Sequence, residues 1–535
     1  MVPDHFFVNQ QTLSKMDKNG LITIIGSLQA QLNAISSQLD FLTEQIALMN
    51  QRSFGRKTEQ LDEMHQMTLF EVFNEPEVLS DDSKEPEISE IIIPSHTRKK
   101  KTTREKNLEG LPVRIINHTL SKEQLKERFP DGYKELPCKV YKRLSIIPQT
   151  FIVDEHHVHV YAAKNNDGTI VRAPRPADVF RNSIATPSLV AAIIAGKYAN
   201  HLPLDRQSRC YKDNGVKLET NTLANWMMPA SELHLSIIYD ELRKYLYECR
   251  VVHADETPFE VIRDGRKAGS KSFMWVYRSG EYDDKSHPVV IYDFQNTRKT
   301  DHPEQFLKDY SGVLVTDGYQ VYHSLEKKRD DLQVAGCWIH AKRSFAEYVK
   351  ATGTEGMDGT FAAQAVNLIS EIFHLDHQCG DCLVKQREKH RQLVVRPKVD
   401  AFFAWVKDTM PKVSAGSNTY RSLQYCINQE KFLRVFLSNG AVPMDNNVAE
   451  RAIRPFTLGR KNWVNMDSIR GAQASAILYS LVETAKANDL RVYEYLEYLL
   501  DELSRHADDK DREFIKDLLP WSEAAREKCR SLKKS

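Results

Sequence analysis

Two aspartates in the middle of the chain come directly after apolar, β-branched segments. Asp255 follows Val251–Ala254, and Asp317 follows Gly312–Thr316. A carboxylate just past the end of a strand is held rigidly while its oxygens reach into a cleft. If the two strands are neighbours, Asp255 and Asp317 can share a hard cation such as Mg²⁺ or Mn²⁺. Aspartate is also a common turn residue or helix N-cap, so the pattern alone leaves that alternative open.

A third carboxylate, Glu450, lies in a segment that favours a helix. Asp445 or Asn446 can cap the start of this helix, and Glu450 then projects from it. Three such carboxylates can hold two ions roughly 3.5–4 Å apart, as in two-metal phosphoryl transfer. The alternative is a surface ion pair between Glu450 and Arg454, worth about a few tenths of a kcal/mol. Asp445 is the alternative to Glu450 as the third ligand.

The elements around the two aspartates follow a definite order. Apolar segments from Arg250 onward predict three strands, a helix, a strand, a helix, a strand and a helix. This is the order of a ribonuclease-H-like α/β domain. Besides the strands before the two aspartates, the predicted elements include strands Phe273–Tyr277, Val289–Tyr292 and Leu332–Trp338 and helix Glu304–Tyr310.

The N-terminal region carries apolar residues spaced alternately four and three apart. This seam predicts a coiled coil of about four heptads that pairs protomers. A single amphipathic helix packed on its own domain is the alternative, and Gly26 weakens the first heptads. The seam consists of Leu21, Ile25, Leu28, Leu32, Ile35, Leu39, Leu42, Ile46 and Met49.

Two regions separate the predicted coiled coil from the helices that follow. Prolines and blocks of charge predict a linker over residues 61–109, whose basic run either contacts phosphates or is solvated. Residues 110–180 are predicted to be β-rich, with strands at Val140–Val153 and His157–Ala163. The histidines of the second strand have only Cys138 nearby, so ordinary strand histidines are favoured over a metal site.

Residues 181–245 are predicted to hold three helices, with a turn at Asn214-Gly215 between the second and the third. A short helix, a glycine turn and another helix suit a helix-turn-helix that binds DNA, and a plain helical hairpin is the alternative. The predicted helices are Ser188–Tyr198, Leu204–Tyr211 and Glu219–Met228, and the residues expected to face DNA are Arg206, Arg209, Lys217 and Asn221.

Composition narrows the class of protein. With 535 residues, 41% of them hydrophobic and 27% charged, the chain is expected to be globular and multidomain. No apolar run approaches the roughly 18 residues of a membrane span, and the N-terminus lacks the layout of a signal peptide. We therefore expect no membrane partner and a cytoplasmic location. Eight scattered cysteines do not predict a disulfide framework. The net charge of +1 is the sum of acidic and basic stretches that are separate in the sequence.

Several motifs together resemble one family. Asp255–Pro258, Asp317–Tyr319 and Asp445–Pro455 occur in the order found in transposases of the bacterial insertion sequence 66 family. Gly459–Trp463 follows them. Its basic residues suit phosphate contact and its Trp463 suits base stacking. A buried Trp463 is the alternative. The other segments that carry the resemblance are Ser53–Glu59, His201–Gln207 and Gly336–Arg343.

The resemblance implies a DNA transposase that binds the terminal inverted repeats of its element, cleaves there and joins the 3′ ends to target DNA. It implies a catalytic, metal-binding triad on Asp255, Asp317 and Glu450, association with the bacterial nucleoid, a homo-oligomer and accessory transposition proteins. The candidate DNA contacts are His340, Lys342, Arg343, Arg451, Arg454, Arg460, Lys461 and Trp463. The alternative for the charged residues is a solvated side chain, and for Trp463 a packed ring.

One departure from the family concerns zinc. Many members carry paired cysteines of a zinc-finger-like module ahead of the helix-turn-helix, and this chain has only Cys138 there. The CxxC formed by Cys379 and Cys382 stands without a second pair and is a weak zinc signal. Mg²⁺ or Mn²⁺ is therefore the expected cofactor, and zinc is not expected.

The expected fold class is multidomain and mixed α/β. A non-catalytic DNA-binding repressor or a decayed transposase is the alternative function, and a metal nuclease that cuts without joining is a third. The long gap before Glu450 implies a helical insertion in the catalytic core. The expected domains are a coiled coil (1–60), a linker (61–109), a β-rich module (110–180), a helix-turn-helix region (181–245), a ribonuclease-H-like core (246–350 and 441–465) with its helical insertion (351–440), and a C-terminal helical region (466–535).

Overall fold

The computed structural model describes residues 150–162, 170–282, 287–352, 360–509 and 511–530, with residue 115 and isolated positions between 18 and 35. The chain divides into two compact units, and nearly all of these residues belong to the unit that contains Glu155–Ser531. Helices and strands alternate in this unit, so the mixed α/β class is confirmed. None of the helices described here is both long enough and apolar enough to cross a bilayer.

Much of the predicted N-terminal half lies outside the described residues. This applies to the linker, to Cys138 and to most of the strand expected at Val140–Val153. Of the heptad seam, four positions are described, and all four are helical: Leu21, Ile25, Leu28 and Ile35.

In the described part of residues 110–180, the strands are shorter than the sequence predicted. Strand β1 covers only Val160–Ala162 and pairs in antiparallel fashion with β2, Ile170–Arg172. The strand expected from His157 was therefore wrong at its start. Pro174 and Pro176 follow β2 and have no N–H to donate, so the ladder cannot extend toward His157.

Four helices follow, and the first three lie close to the predicted pieces. Thr186 caps the first of them by accepting the N–H of Leu189 at 3.2 Å. The predicted turn after the second helix is present, and Gly215 adopts φ +85°, which glycine tolerates without strain. The helices are α1 Pro187–Tyr198, α2 Leu204–Asp213, α3 Thr220–Ala230 and α4 Ser236–Glu248, with a π-helical turn at Ser231–Leu235 between the last two.

A six-stranded mixed sheet lies at the centre of the unit, with five strands in one row and the short strand β8 (Met466–Ser468) paired in parallel with the end of β3. The strand order is β5-β4-β3-β6-β7, with β3, β4 and β5 antiparallel and β3, β6 and β7 parallel. The predicted succession of strands and helices is present. The elements are β3 Val251–Arg263, β4 Lys271–Ser279, β5 Val290–Gln295, α5 Asp301–Phe306, β6 Gly312–Thr316, α6 Gln320–Lys328, β7 Leu332–Gly336 and α7 Trp338–Thr352.

Most of the described residues between α7 and the Glu450 helix are helical. These helices bury an apolar core against the β6–β7 side of the sheet, with Trp338 fully buried between Phe402, Phe403 and Phe436. The indole N–H of Trp338 donates to the carbonyl of Leu433 at 2.8 Å. The helices are α8 Phe361–His377, α9 Val384–His390, α10 Arg396–Thr409 and α11 Asn418–Leu433.

Arg391 connects the helices of this insertion to residues 436–442, which precede the Glu450 helix. Its side chain is fully buried and forms two hydrogen bonds, of 2.6 and 3.0 Å, with the Asp376 carboxylate. It also donates to the carbonyls of Phe436, Asn439 and Val442 at 3.0, 3.0 and 2.6 Å. A guanidinium has five N–H donors in a rigid fork, so one side chain can hold a stretch of backbone that has no regular partner.

The C-terminal helices close one edge of the sheet. The hydroxyl of Ser480 accepts the N–H of Tyr292 at 2.8 Å, and that of Thr484 accepts the N–H of Val290 at 3.0 Å. At the other edge, the Glu326 carboxylate accepts the N–H of Val334 at 3.2 Å. The C-terminal elements are α12 Asn447–Trp463, β8 Met466–Ser468, α13 Ile469–Ala487, α14 Val492–Arg505, α15 Ile515–Leu518 and α16 Glu523–Cys529.

The buried ion pair of Arg391 can be tested by substitution. Arg391→Ala leaves Asp376 buried without its partner, so we expect the free energy of unfolding to fall by about 3–5 kcal/mol. Urea denaturation followed by circular dichroism measures this change. Arg505→Ala is the control, because Arg505 and its partner Asp501 are 54% and 38% exposed. A loss in Arg391→Ala as small as the control's, about 1 kcal/mol or less, would contradict the assignment.

Candidate active site

Asp255 and Asp317 lie at neighbouring strands, as the interpretation of the sequence required. The parallel ladder between β3 and β6 pairs His253 with Val315. Asp317 directly follows the end of β6 at Thr316, as predicted. Asp255 instead lies within β3, which continues to Arg263, so the strand end expected before it was wrong. The Asp255 carboxylate accepts the N–H of Glu256 at 2.8 Å, and the Asp317 carboxylate accepts the N–H of Tyr319 at 3.0 Å. Both carboxylates are therefore oriented by adjacent backbone.

The electrostatics of Asp255 bring the third carboxylate into the same site. Burial raises the pKa of Asp255 well above its usual value, and the negative charges of Glu256, Asp317 and Glu450 raise it further. Glu450 contributes from the first turn of α12. Negative charges from two strands and one helix thus lie near Asp255 and disfavour its ionised form.

Glu450 also contacts side chains of α7. The guanidinium of Arg343 lies 3.3 and 3.4 Å from the two oxygens of the Glu450 carboxylate. Nε2 of His340 is 3.8 Å from the same carboxylate. Burial and the charge of Arg343 lower the pKa of His340, although Glu450 opposes this. Two of the predicted phosphate contacts therefore lie beside the predicted third ligand.

The residues before α12 have two different roles. Asp445 accepts the N–H of Asn447 at 2.9 Å and so caps the start of the helix. Asn446 is fully buried, and its side chain bonds Nδ1 of His253 and the carbonyl of Ala254, both at 2.9 Å. Burial lowers the pKa of His253 to about 4. Asn446 was foreseen only as a helix cap, because its partners are distant in the chain and local spacing cannot reveal them.

A further carboxylate escaped the sequence interpretation. Glu256 is 2% exposed, and its Oε1 accepts from Nε of Arg298 at 2.8 Å. Arg298 also stacks on Tyr319, with the guanidinium 3.8 Å from the ring centroid. Burial raises the pKa of Glu256, and Arg298 opposes that shift. The Asp-Glu dipeptide was the available signal, but nothing in the sequence links it to Arg298.

The three carboxylates share one electrostatic neighbourhood without forming a closed ligand set. Within the described ranges, no three His, Cys, Asp or Glu side chains are close enough together to hold one metal ion. The sulfurs of Cys379 and Cys382 are bonded to each other as a disulfide.

The predicted DNA contacts are distributed over several elements. On α2, α3 and the segment between them, Arg206, Arg209, Lys217 and Asn221 are exposed, and Arg209 pairs with Asp205 at 2.5 Å. On α12, Arg451 pairs with Glu281 at 3.1 Å, Arg460 donates to the carbonyl of Pro258 at 2.6 Å, and Lys461 is exposed. Lys342 on α7 and Arg454 on α12 are partly buried.

Trp463 is partly buried at the end of α12. Its ring packs at centroid distances of 6.5 Å from Tyr198 and 6.4 Å from Tyr479. The ammonium of Lys197 lies 5.5 Å from the centroid of the same ring. The packed form of Trp463, which the sequence left open as an alternative, is the one observed.

Models of known protein families match most of the unit that contains Glu155–Ser531. Residues 182–474, more than half of the chain, match the model described as the Transposase IS66 family. The chain belongs to this family. Residues 480–521 match its IS66 C-terminal element, and residues 41–116 match a model described as Transposase C of IS166 homeodomain. The last match spans the expected linker and the end of the heptad seam.

Relatives of this IS66-family transposase include two uncharacterized proteins of Sinorhizobium fredii (strain NBRC 101917 / NGR234). Protein y4qI is 30% identical over 390 residues, which is 71% of this chain and 70% of the relative. Protein y4jD is 28% identical over 386 residues, which is 71% of this chain and 74% of the relative. The Drosophila P element transposase strand transfer complex aligns over 56% of this chain and 92% of its own, with 11% identity and a TM-score of 0.33.

Burial of Asp255, together with the charges around it, predicts a gain in stability when its own charge is removed. In EDTA at pH 7, we expect Asp255→Asn to melt about 2–4 °C higher than the wild type, equivalent to about 1 kcal/mol. Because the folded-state pKa is raised, ionisation opposes folding, so the gain should vanish below about pH 4 and grow as the pH rises. Differential scanning calorimetry across pH measures it. Glu304→Gln, at an exposed carboxylate, is the control, and an equal effect there would sink the explanation.

Proposed function

We propose that this transposase binds the terminal inverted repeats of its insertion sequence, cleaves the DNA there and joins the 3′ ends to target DNA. The observation that carries the proposal is the register of the neighbouring parallel strands β3 and β6, which brings Asp255 and Asp317 side by side. Glu450 on α12 is near enough for its charge to raise the pKa of Asp255. Membership of the Transposase IS66 family supports it. The sheet order and the helical insertion before α12 support a ribonuclease-H-like catalytic core made of residues 246–350 and 441–465.

The donor set fits a divalent metal ion. Carboxylate oxygens are the ligands that Mg²⁺ and Mn²⁺ favour, and Asp255 is buried among like charges that a cation would neutralise. We assign Asp255, Asp317 and Glu450 as the ligands. When bound, the ions stabilise the attacking and the leaving oxygen of the displacement.

The side chains of the site orient the DNA for two displacements. In the first, water forms a new bond to phosphorus, and the 3′ oxygen leaves as a hydroxyl. In the second, that hydroxyl attacks the phosphorus of a target phosphodiester, and the target strand's own 3′ oxygen leaves as a hydroxyl. No covalent enzyme intermediate is needed. Arg343 and His340 flank Glu450 and are suited to contact the scissile phosphate. Arg343 then exchanges part of its pairing with Glu450 for the DNA.

Exposed polar residues support a separate DNA-binding surface on α2 and α3. Arg206 and Arg209 lie on α2, Asn221 lies on α3, and Lys217 lies between them, with all four exposed. We assign these residues to the terminal repeats. The further basic residues of α12 contact the flanking backbone.

A second copy of the chain is the proposed partner of the N-terminal helix. Ile25, Leu28 and Ile35 are helical and 58%, 56% and 60% exposed, at heptad spacing. An apolar seam of this kind is covered in a coiled coil. Pairing two protomers would allow both ends of the element to be handled together.

The catalytic assignment predicts that charge-neutral substitutions abolish the chemistry. Asp255→Asn and Glu450→Gln should each lower Mg²⁺-dependent cleavage of a duplex carrying the element's own end by at least about 10²–10³-fold. Gel analysis of labelled strands measures cleavage and joining. Glu304→Gln is the matched control, because it removes an exposed carboxylate on α5.

The outcomes separate the proposal from its alternatives. Joining by the wild type supports a transposase, cutting without joining supports a nuclease, and binding alone supports a repressor or a decayed enzyme. Cleavage retained in Asp255→Asn or Glu450→Gln would exclude the proposed triad.

The proposed coiled coil predicts a change of oligomeric state. Ile25→Lys combined with Leu28→Lys puts charges into the seam, so we expect the full-length protein to shift from dimer to monomer in sedimentation velocity. Ser27→Lys with Gln31→Lys adds the same charge off the seam and should leave the dimer intact. A wild-type monomer, or equal dissociation in both double variants, would rule out this interface.

A further inference from the structure

Asn446 forms hydrogen bonds with several of the elements that surround the three carboxylates. The residue precedes α12 and is fully buried. Its amide nitrogen donates to the carbonyl of Ala254 at 2.9 Å, and its Oδ1 lies 2.9 Å from Nδ1 of His253. Both partners lie on β3, directly before Asp255.

The chemistry of these partners determines the orientation of the Asn446 amide. The Ala254 carbonyl can only accept, so the NH₂ group of the amide must face it. Oδ1 therefore faces His253 and accepts a hydrogen bond from the Nδ1–H group. His253 is held in the tautomer that carries hydrogen on Nδ1, and its Nε2 has no hydrogen-bond partner among the described residues.

The backbone of Asn446 reaches the other two parts of the site. Its carbonyl accepts the N–H of Glu450 at 3.1 Å, and that of Ala449 at 3.1 Å. Its own N–H donates to Sγ of Cys337 at 3.2 Å, immediately before α7. One residue thus contacts the strand of Asp255, the backbone of Glu450 and the start of the helix that carries Arg343.

We propose that Asn446 is a positioning residue that sets the distance between Glu450 and Asp255. This inference rests on the proposed function, since it concerns how two of its ligands are held together. Asparagine is required because the position needs a donor for Ala254 and an acceptor for His253 on one short side chain. Aspartate has no donor, and alanine leaves both partners buried and unpaired. A displacement of about 1 Å at a reacting centre can lower a rate about 100-fold.

The test uses full-length Asn446→Asp and Asn446→Ala. We expect both to cleave an element-end duplex about 100-fold more slowly than the wild type. The half-saturating Mn²⁺ concentration for cleavage should rise, and Mn²⁺ binding measured by calorimetry should weaken. Affinity for the same duplex in EDTA should be unchanged. Asn447→Asp is the matched control, because it makes the same substitution one residue later, at the first residue of α12.

Different results overturn different claims. A wild type that neither binds Mn²⁺ nor cleaves contradicts the proposed function itself. Normal Mn²⁺ affinity and cleavage in Asn446→Asp contradict the positioning role. A joint loss of melting temperature, DNA affinity and cleavage means that Asn446 is merely structural.

A pair of variants at His253 keeps the inference testable if the Asn446 variants do not fold. Asn in place of His253 can still donate to Asn446 from the position of Nδ1, whereas Leu cannot. We expect His253→Asn to cleave faster and bind Mn²⁺ more tightly than His253→Leu. Equal defects in the two variants would overturn the proposal.

Discussion

Burial of the Asp255 carboxylate beside the negative charges of Glu256, Asp317 and Glu450 is the constraint on which the rest of this structure depends. Asp255 sits on the central strand of the sheet, where pairing with β4 and β6 leaves its backbone little freedom to move away from Asp317. Burial removes the water that would screen these charges. The site is therefore unfavourable for folding in its own right, and the surrounding elements must hold it in place.

The helical insertion between α7 and α12 contributes much of this restraint. The backbone between the insertion's last helix, α11, and α12 is mostly irregular, so regular pairing alone does not fix the position of α12. Arg391 binds three carbonyls of this stretch, and Asn446 fastens its end to β3. Because hydrogen bonds to backbone are directional, these contacts fix the chain path as well as stabilising it. The long gap before Glu450 is thus part of the machinery that positions it.

The sequence predicted what depends on local pattern. The strand end before Asp317, three helices from α1 to α3 and a helix at Glu450 follow from apolar periodicity, turn residues and family motifs. The strand end expected before Asp255 was wrong, because pairing with β4 carries β3 on to Arg263. The contacts of Asn446 and of Glu256 could not be predicted, because they join residues far apart in the chain. The strand expected from His157 failed for a related reason: β-propensity is local, whereas a ladder needs a partner with free N–H groups.

Both edges of the central sheet have backbone N–H groups that are bonded to side chains. Ser480 and Thr484 serve β5, and Glu326 serves β7. Those groups are not available to template a strand from another molecule. In the proposed assembly on DNA, copies of the chain would then recognise one another through side chains and could separate without exchanging strands at these positions.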